Sequence, residues 1–245
     1  MALKRRAGNI VQALRETVHR LYYQLYPHHY CTYHRLIFSQ DGEDCVLFTL
    51  LRDMPNGFYV EIGAHHPQRY SNTYAFYLQG WRGICVDASP DSMRLFKMAR
   101  PRDICVECGV GNSQETLDFH IFNEPALNTF DKALAATRDG KGGYHIVRVQ
   151  KLQIRPLRDI LADHLPDSTE ISFMSVDVEG YDLQVLESND WARFRPRIVV
   201  AERAEELVTV SEAASDPTCA FLSAQGYDLI SVLPRSLIFA TRANS

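Results

Sequence analysis

Apolar and polar positions recur along the chain with two periods, and the order of those periods predicts the architecture. In residues 9–26, Ile10, Leu14, Val18, Leu21, Tyr22 and Leu25 fall at spacings of three and four, the pattern of an amphipathic helix. Pro27 and the His/Tyr-rich stretch 28–34 end it. A second helix is expected from near Ser39, and Pro55-Asn56-Gly57 marks a turn after it. From there short apolar runs alternate with helical patterns. Strands are predicted at 58–62, 83–87, 103–110, 171–177, 197–202, 227–233 and 236–242, with helices over 71–80, 91–99, 182–190 and 211–225. Strand–helix alternation that ends in a hairpin through Pro234-Arg235 predicts an α/β fold. Its form is a doubly wound, mostly parallel seven-stranded sheet with one antiparallel edge strand. Residues 113–157 break the alternation: β-like segments at 117–123 and 145–154 flank a polar, glycine-containing stretch around 137–143. This reads as an insertion over the mouth of the site. The expected division is an N-terminal amphipathic helical segment, 1–35, and a domain spanning 36–245.

Composition narrows the function classes. At 245 residues and 46% apolar content, the chain has ample material for one large core. A formal charge of −4 supplies no basic field for nucleic acid, which is not expected as a partner. No apolar run approaches the roughly 18–20 residues that span a bilayer, and no apolar h-region follows the basic start. The expectation is a cytoplasmic protein. Lys4, Arg5, Arg6, Arg15 and Arg20 surround the first helical pattern, so residues 4–26 either dock on the domain or contact a membrane surface or partner. Cys31, Cys45, Cys85, Cys105, Cys108 and Cys219 are scattered and form no disulfide framework. Cys105 and Cys108 are two residues apart, but they sit in a strand-like run with no second pair, which reads as structural rather than as a zinc site.

In an open parallel sheet, ligands bind beyond the carboxyl ends of the strands. The first strand delivers Glu61, Gly63, Ala64, His65 and His66 there. Gly63 allows the tight turn and close backbone approach that a cofactor needs. The pattern is not G-x-G-x-x-G, which counts against a dinucleotide. Glu61, an acid in a core strand, calls for a cationic or hydrogen-bond-donating partner, and a ligand would supply one. The second strand ends in Asp87-Ala88, 24 residues after Gly63, where a carboxylate suits two ribose hydroxyls. Glu107 and Cys108 end the third strand and are placed to face a base. The fourth ends in Asp177-Val178-Glu179-Gly180, and the fifth in Glu202. Asp177 and Glu202, on neighbouring strands, are suited to holding a divalent cation, or one of them to acting as general base. Histidine accepts a proton near neutral pH, so His65 and His66 are candidate bases as well.

These residues resemble the FkbM family of methyltransferases. The likeness rests on Ser39-Gln40-x-Gly42-Glu43-Asp44, the run 58–67, the run 71–93, Arg100-Pro101-x-Asp103, the triplet Asn128-Thr129-Phe130 and the run 175–186. The resemblance implies a class I, Rossmann-like methyltransferase fold, S-adenosylmethionine as cofactor, and O-methylation of a sugar, glycan or related natural product. By position it implies cofactor contacts at Glu61, Gly63 and Asp87, and it aligns Asp177 and Glu179 with the family's D-V-E-G segment. Some related O-methyltransferases hold magnesium with acids after strands four and five, which Asp177 and Glu202 match. The expected chemistry is in-line attack of an acceptor hydroxyl on the methyl group. His65 or His66 with Asp177 would take the proton, and Glu179 would orient the acceptor. Two other classes remain open at this point: a nicotinamide-dependent oxidoreductase, and a non-catalytic binding module on a nucleoside-cofactor fold.

Overall fold

The computed structural model describes residues 17–18, 36–203 and 209–242. The chain divides into two compact units, Met1–Leu36 and Ile37–Ser245. Of the helix expected at 9–26, only Thr17 and Val18 are described, both helical, and the rest lies outside the described residues.

The second unit is built on a seven-stranded sheet. Its strands are β1 (Phe58–Ile62), β2 (Arg82–Asp87), β3 (Ile104–Glu107), β7 (Phe173–Val176), β8 (Ile198–Glu202), β9 (Tyr227–Val232) and β10 (Ser236–Thr241). Their spatial order is β3-β2-β1-β7-β8-β10-β9. All neighbours from β3 to β8 pair in parallel, while β10 is antiparallel to both β8 and β9. The antiparallel edge expected from the sequence is thus a hairpin whose second strand enters between β8 and the outermost strand β9.

The helices α1 (Glu43–Leu50), α2 (Tyr74–Leu78) and α3 (Ser92–Ala99) supply one face. There Leu47, Phe76, Met93 and Phe96 pack with Tyr59 and Phe173 of the sheet. On the other face Leu157, Ile160 and Leu161 of α5 (Leu157–His164), Val185 and Leu186 of α6 (Asp182–Glu187), and Leu222 of α8 (Pro217–Ala224) pack with Phe58, Val60 and Ile62. Alternate residues of β1 therefore feed opposite cores, and all five are buried, as a central strand covered on both sides requires.

Three expected elements take a different form. The single helix at 211–225 is two, α7 (Val210–Ala214) and α8. The Asp216 side chain accepts from the Thr218 N–H and Pro217 stands in the first turn of α8, which restarts the helix there. The strand at 103–110 is divided at Cys108: β3 stays in the main sheet, and β4 (Gly109–Val110) joins a second sheet of order β4-β6-β5. That sheet is the insertion, with β5 (Glu115–Phe122) antiparallel to β6 (Ile146–Arg155). A short 3-10 turn, Pro125–Leu127, and α4 (Lys132–Arg138) lie between them. Finally, the helix expected at 71–80 begins only at Tyr74, because Ser71, Asn72 and Thr73 spend their side chains on core acceptors.

Those acceptors belong to a buried polar network under β1. Ser71 and Thr73 hydroxyls donate to Glu61 at 3.1 and 2.6 Å. The fully buried Arg100 donates from Nε to Asp103 at 2.7 Å, and its Nη1 reaches Glu61 at 3.4 Å. Its Nη1 also donates to the Pro67 carbonyl at 3.3 Å, so the guanidinium supports the loop that follows β1. Burial pushes the Glu61 carboxyl up, while Arg100 and the two hydroxyls pull it down. Glu61 was expected to meet the cofactor; its partners are Arg100, Ser71 and Thr73 instead.

Breaking a buried ion network from one side strands the opposite charges. Arg100→Met is expected to lower unfolding stability by about 3–5 kcal/mol, read from urea midpoints at pH 7. A loss under 1 kcal/mol would show that the network contributes little.

Candidate active site

Strand register sets the site. Ile62 pairs with Val86 and with Val176, and Val176 pairs with Ala201. Gly63, Asp87, Asp177 and Glu202 therefore stand in one row at the carboxyl edge of the sheet. The row straddles the point between β1 and β7 from which the crossovers run in opposite directions, the usual ligand site of doubly wound sheets. Gly63 has φ +79°, and a Cβ on it would collide with the Asp177 carbonyl oxygen. Only glycine fits both demands.

A cavity of about 740 Å³ opens above this row. Gly63, His65, Asp87, Ala88, Ser89 and Cys108 line one side, Asp177, Val178 and Glu179 another, and Phe119, Pro125, Ala126, Asn128 and Phe130 of the insertion a third. The insertion thus walls the cavity that contains Asp87 itself. Asp87 holds both neighbouring loops: its Oδ2 accepts from the His65 N–H at 2.8 Å and its Oδ1 from the Ser89 N–H at 2.7 Å.

The remaining candidates divide. His65 lines the cavity in a left-handed conformation, φ +50°, and its Nε2 is buried with no hydrogen-bond partner. Burial lowers its pKa, with Asp87 opposing, so the ring is neutral at neutral pH. His66 does not line the cavity. Its Nδ1 accepts from the Gln68 and Arg69 N–H groups at 3.1 and 3.0 Å and so caps the turn. Ala64 is buried beneath the cavity floor, with its N–H on the Val86 carbonyl at 3.0 Å. Glu107 is exposed and is not among the residues that line the cavity, whereas its neighbour Cys108 is. The five cysteines among the described residues are free thiols.

The acids do converge. Asp177, Glu179 and Glu202 can each bring one carboxylate oxygen within 4.8 Å of the other two, a set able to hold a cation. Glu202 sits in a smaller recess of about 270 Å³ that shares Gln40, Tyr70 and Asp177 with the main cavity. Burial, then the Asp177 charge, pushes Glu179 up to about 7, with Arg138 opposing. Burial and Asp177 also raise Glu202 well above the carboxylate range. Three acids this close do not all ionise at neutral pH, so the cluster retains a proton. Arg138 of α4 meets Glu179 at 2.6 Å, the direct counter-charge from the insertion.

Several of these residues escape sequence reasoning. Tyr70, at φ +58° and 43% exposed, lines both cavities, an uncommon backbone state for a bulky side chain and one that clusters at functional sites. Its ring lies 6.4 Å from that of His65, nearly parallel. Arg138 carried no signal, because a basic residue ending a helix is unremarkable by itself.

No helix among the described residues is long and apolar enough to cross a membrane. Comparison with curated protein sequences returns no match. Several solved structures resemble the chain weakly, two of which illustrate the likeness. One is a candidate RNA methyltransferase of Pyrococcus horikoshii, 10% identical with a TM-score of 0.41, covering 82% of this chain and 84% of that one. The other is the precorrin-6y C5,15-methyltransferase of Geobacter metallireducens, 14% identical with a TM-score of 0.40, covering 82% and 87%. The profile of the methyltransferase FkbM domain matches residues 61–229, which include the first strand's acid, the Gly63 turn, Asp87, the insertion and the acidic loop. With that match over more than half its length, the chain belongs to the FkbM methyltransferase family.

Proposed function

We propose that this protein is an S-adenosylmethionine-dependent O-methyltransferase acting on a hydroxyl of a sugar, glycan or related natural product. The observation that carries the reading is one cavity with Asp87 at one end and Asp177 and Glu179 at the other, joined across the Gly63 turn. Three features fit the cofactor. The Asp87 carboxylate, already fixed by two backbone N–H groups, keeps lone pairs for ribose hydroxyls. Gly63 leaves room for close approach, and the unpartnered Nε2 of His65 offers a hydrogen-bonding site. When bound, the cofactor supplies a methyl group already activated as a sulfonium.

The protein's task is then orientation and proton removal. Asp87 and the Gly63 turn hold the nucleoside. Asp177, in a cluster that shares a proton, accepts hydrogen from the acceptor hydroxyl, with the neutral His65 ring as the alternative acceptor within the same cavity. Glu179, fixed by Arg138, orients the acceptor. A second reading has Asp177, Glu179 and Glu202 holding a divalent cation; their all-oxygen donor set suits magnesium. Its weakness is that Arg138 already neutralises Glu179.

Titration calorimetry with S-adenosylhomocysteine and with NAD, followed by incubation of cell extract with methyl-labelled cofactor, tests the proposal. Binding of NAD alone would return it to an oxidoreductase, and cofactor binding with no transfer to any acceptor would favour a binding module. Asp87→Ala is expected to weaken S-adenosylhomocysteine binding by about tenfold or more, the scale of lost charge-assisted hydrogen bonds. Asp177→Asn is expected to lower turnover by about 10²–10⁴-fold, the usual range for an acid–base group, with a smaller effect on cofactor affinity. Glu179 works ionised, so transfer should rise with pH through a midpoint near 7. A rate independent of pH between 6 and 8 would remove Glu179 from the mechanism. Chelator should leave the rate unchanged, and loss of activity restored by magnesium would establish the cation reading.

A further inference from the structure

The triplet Asn128-Thr129-Phe130 belongs to none of the strands that build the row of acids, yet each of its residues reaches a different wall of the cavity. Asn128 donates from Nδ2 to the Ser89 hydroxyl at 3.1 Å, on the loop that follows β2. Its Oδ1 accepts from the Phe122 N–H at 2.8 Å, which anchors it to β5. Thr129 is fully buried, and its hydroxyl donates to the Glu179 carbonyl at 2.8 Å, on the loop that follows β7. The same oxygen accepts from the Asp131 N–H at 2.9 Å, one residue before α4 begins. Phe130 packs on Phe119 with ring centroids 4.6 Å apart and reaches Tyr181 at 6.1 Å.

The loop that Thr129 holds is under conformational strain. Glu179 has φ +52° and Gly180 φ +91°. A non-glycine residue in that region persists only where its surroundings impose it. The Asp182 carboxylate accepts from the Val178 and Gly180 N–H groups, and the insertion adds Thr129 on the Glu179 carbonyl, Arg138 on its carboxylate at 2.6 Å, and Leu134 against Gly180.

We propose that Asn128 and Thr129 form a strap that joins the loop after β2 to the loop after β7 across the cavity, acting as positioning residues for the donor and for Glu179 respectively. The insertion is then a brace for the site in addition to a wall of it. Asn128 sets Ser89, beside the acid that holds the donor. Thr129 sets the backbone that aims Glu179. Only the donor arm rests on the cofactor reading given above; the Glu179 arm is a property of the free protein.

The two arms are tested separately on the full chain. For Thr129, amide hydrogen exchange of residues 178–182 is measured without ligand in Thr129→Val and Thr129→Ser. Valine keeps the shape and removes the hydroxyl, whereas serine keeps the hydroxyl. Exchange of 178–182 is expected to quicken about tenfold in Thr129→Val and to stay within about twofold of wild type in Thr129→Ser. Unchanged exchange in Thr129→Val overturns the proposal, as does uniform acceleration along the whole chain, which would mean general destabilisation. For Asn128, S-adenosylhomocysteine is titrated into Asn128→Ala, Ser89→Ala and the double variant. Each single variant is expected to raise Kd about fivefold, and the double variant to fall well short of the product, the sign of one shared bond. Multiplying effects, or an unchanged Kd in Asn128→Ala, overturn the donor arm. Failure of wild type to bind S-adenosylhomocysteine would count against the cofactor reading and leave the exchange arm to decide the strap.

Discussion

The structure depends on the contact between the backbones of Gly63 and Asp177. Parallel pairing brings β1 and β7 to the same level, and the Asp177 N–H bonds the Ile62 carbonyl at 3.0 Å. Any side chain at 63 would drive the two loops apart. Because none is present, the floor stays continuous from Asp87 to Asp177, and both ends can serve one ligand. The loop above that floor is propped from below by Arg100 through the Pro67 carbonyl. A charge so deeply buried is costly alone and tolerable here because Asp103, Glu61, Tyr59 and Thr73 surround it.

The acids at the far end obey the opposite logic. Asp177, Glu179 and Glu202 repel one another in a half-buried place, and only Arg138 meets one of them at ion-pair distance among the described residues. Burial and the neighbouring Asp177 charge raise the proton affinity of Glu179 and Glu202 and hold Glu179 near its midpoint at neutral pH. The repulsion among the acids costs stability, which Arg138 offsets in part through Glu179. Charge is therefore balanced in two ways: by several partners beneath β1, and at the rim by Arg138 alone at ion-pair distance among the described residues.

Much of this was legible in the sequence, for identifiable reasons. Strands such as 58–62 and 83–87 are short apolar runs between turn signals, and the acids at their ends stand out because the runs before them are so apolar. What escaped depended on partners distant in the chain. Glu61 reads as ligand-facing until Arg100, 39 residues later, is placed beside it. The run 103–110 reads as one strand because nothing local shows that Gly109 and Val110 will pair with Ile154 and Arg155. His65 and His66 cannot be told apart by adjacency; the left-handed backbone at His65 puts one ring in the cavity and leaves the other to cap a turn. The break at Pro217 was readable, since Asp-Pro is a helix start, but the apolar spacing ran on across it.

The placement of β10 has a consequence for assembly. This strand follows β9 in sequence yet lies inside it, and its Ser236 hydroxyl reaches Glu43 of α1 at 2.6 Å. Until residues 236–241 pair, β8 has an open edge and β9 has no neighbour in the sheet at all. The sheet is completed when the β9–β10 hairpin adds to β8 through its second strand, which places the last strand in sequence inside the edge. Without that pairing, Val199 and Val200 of β8 would present an unpaired apolar edge, a template for adhesion between copies. The same hairpin that completes the sheet thus also shields its apolar edge.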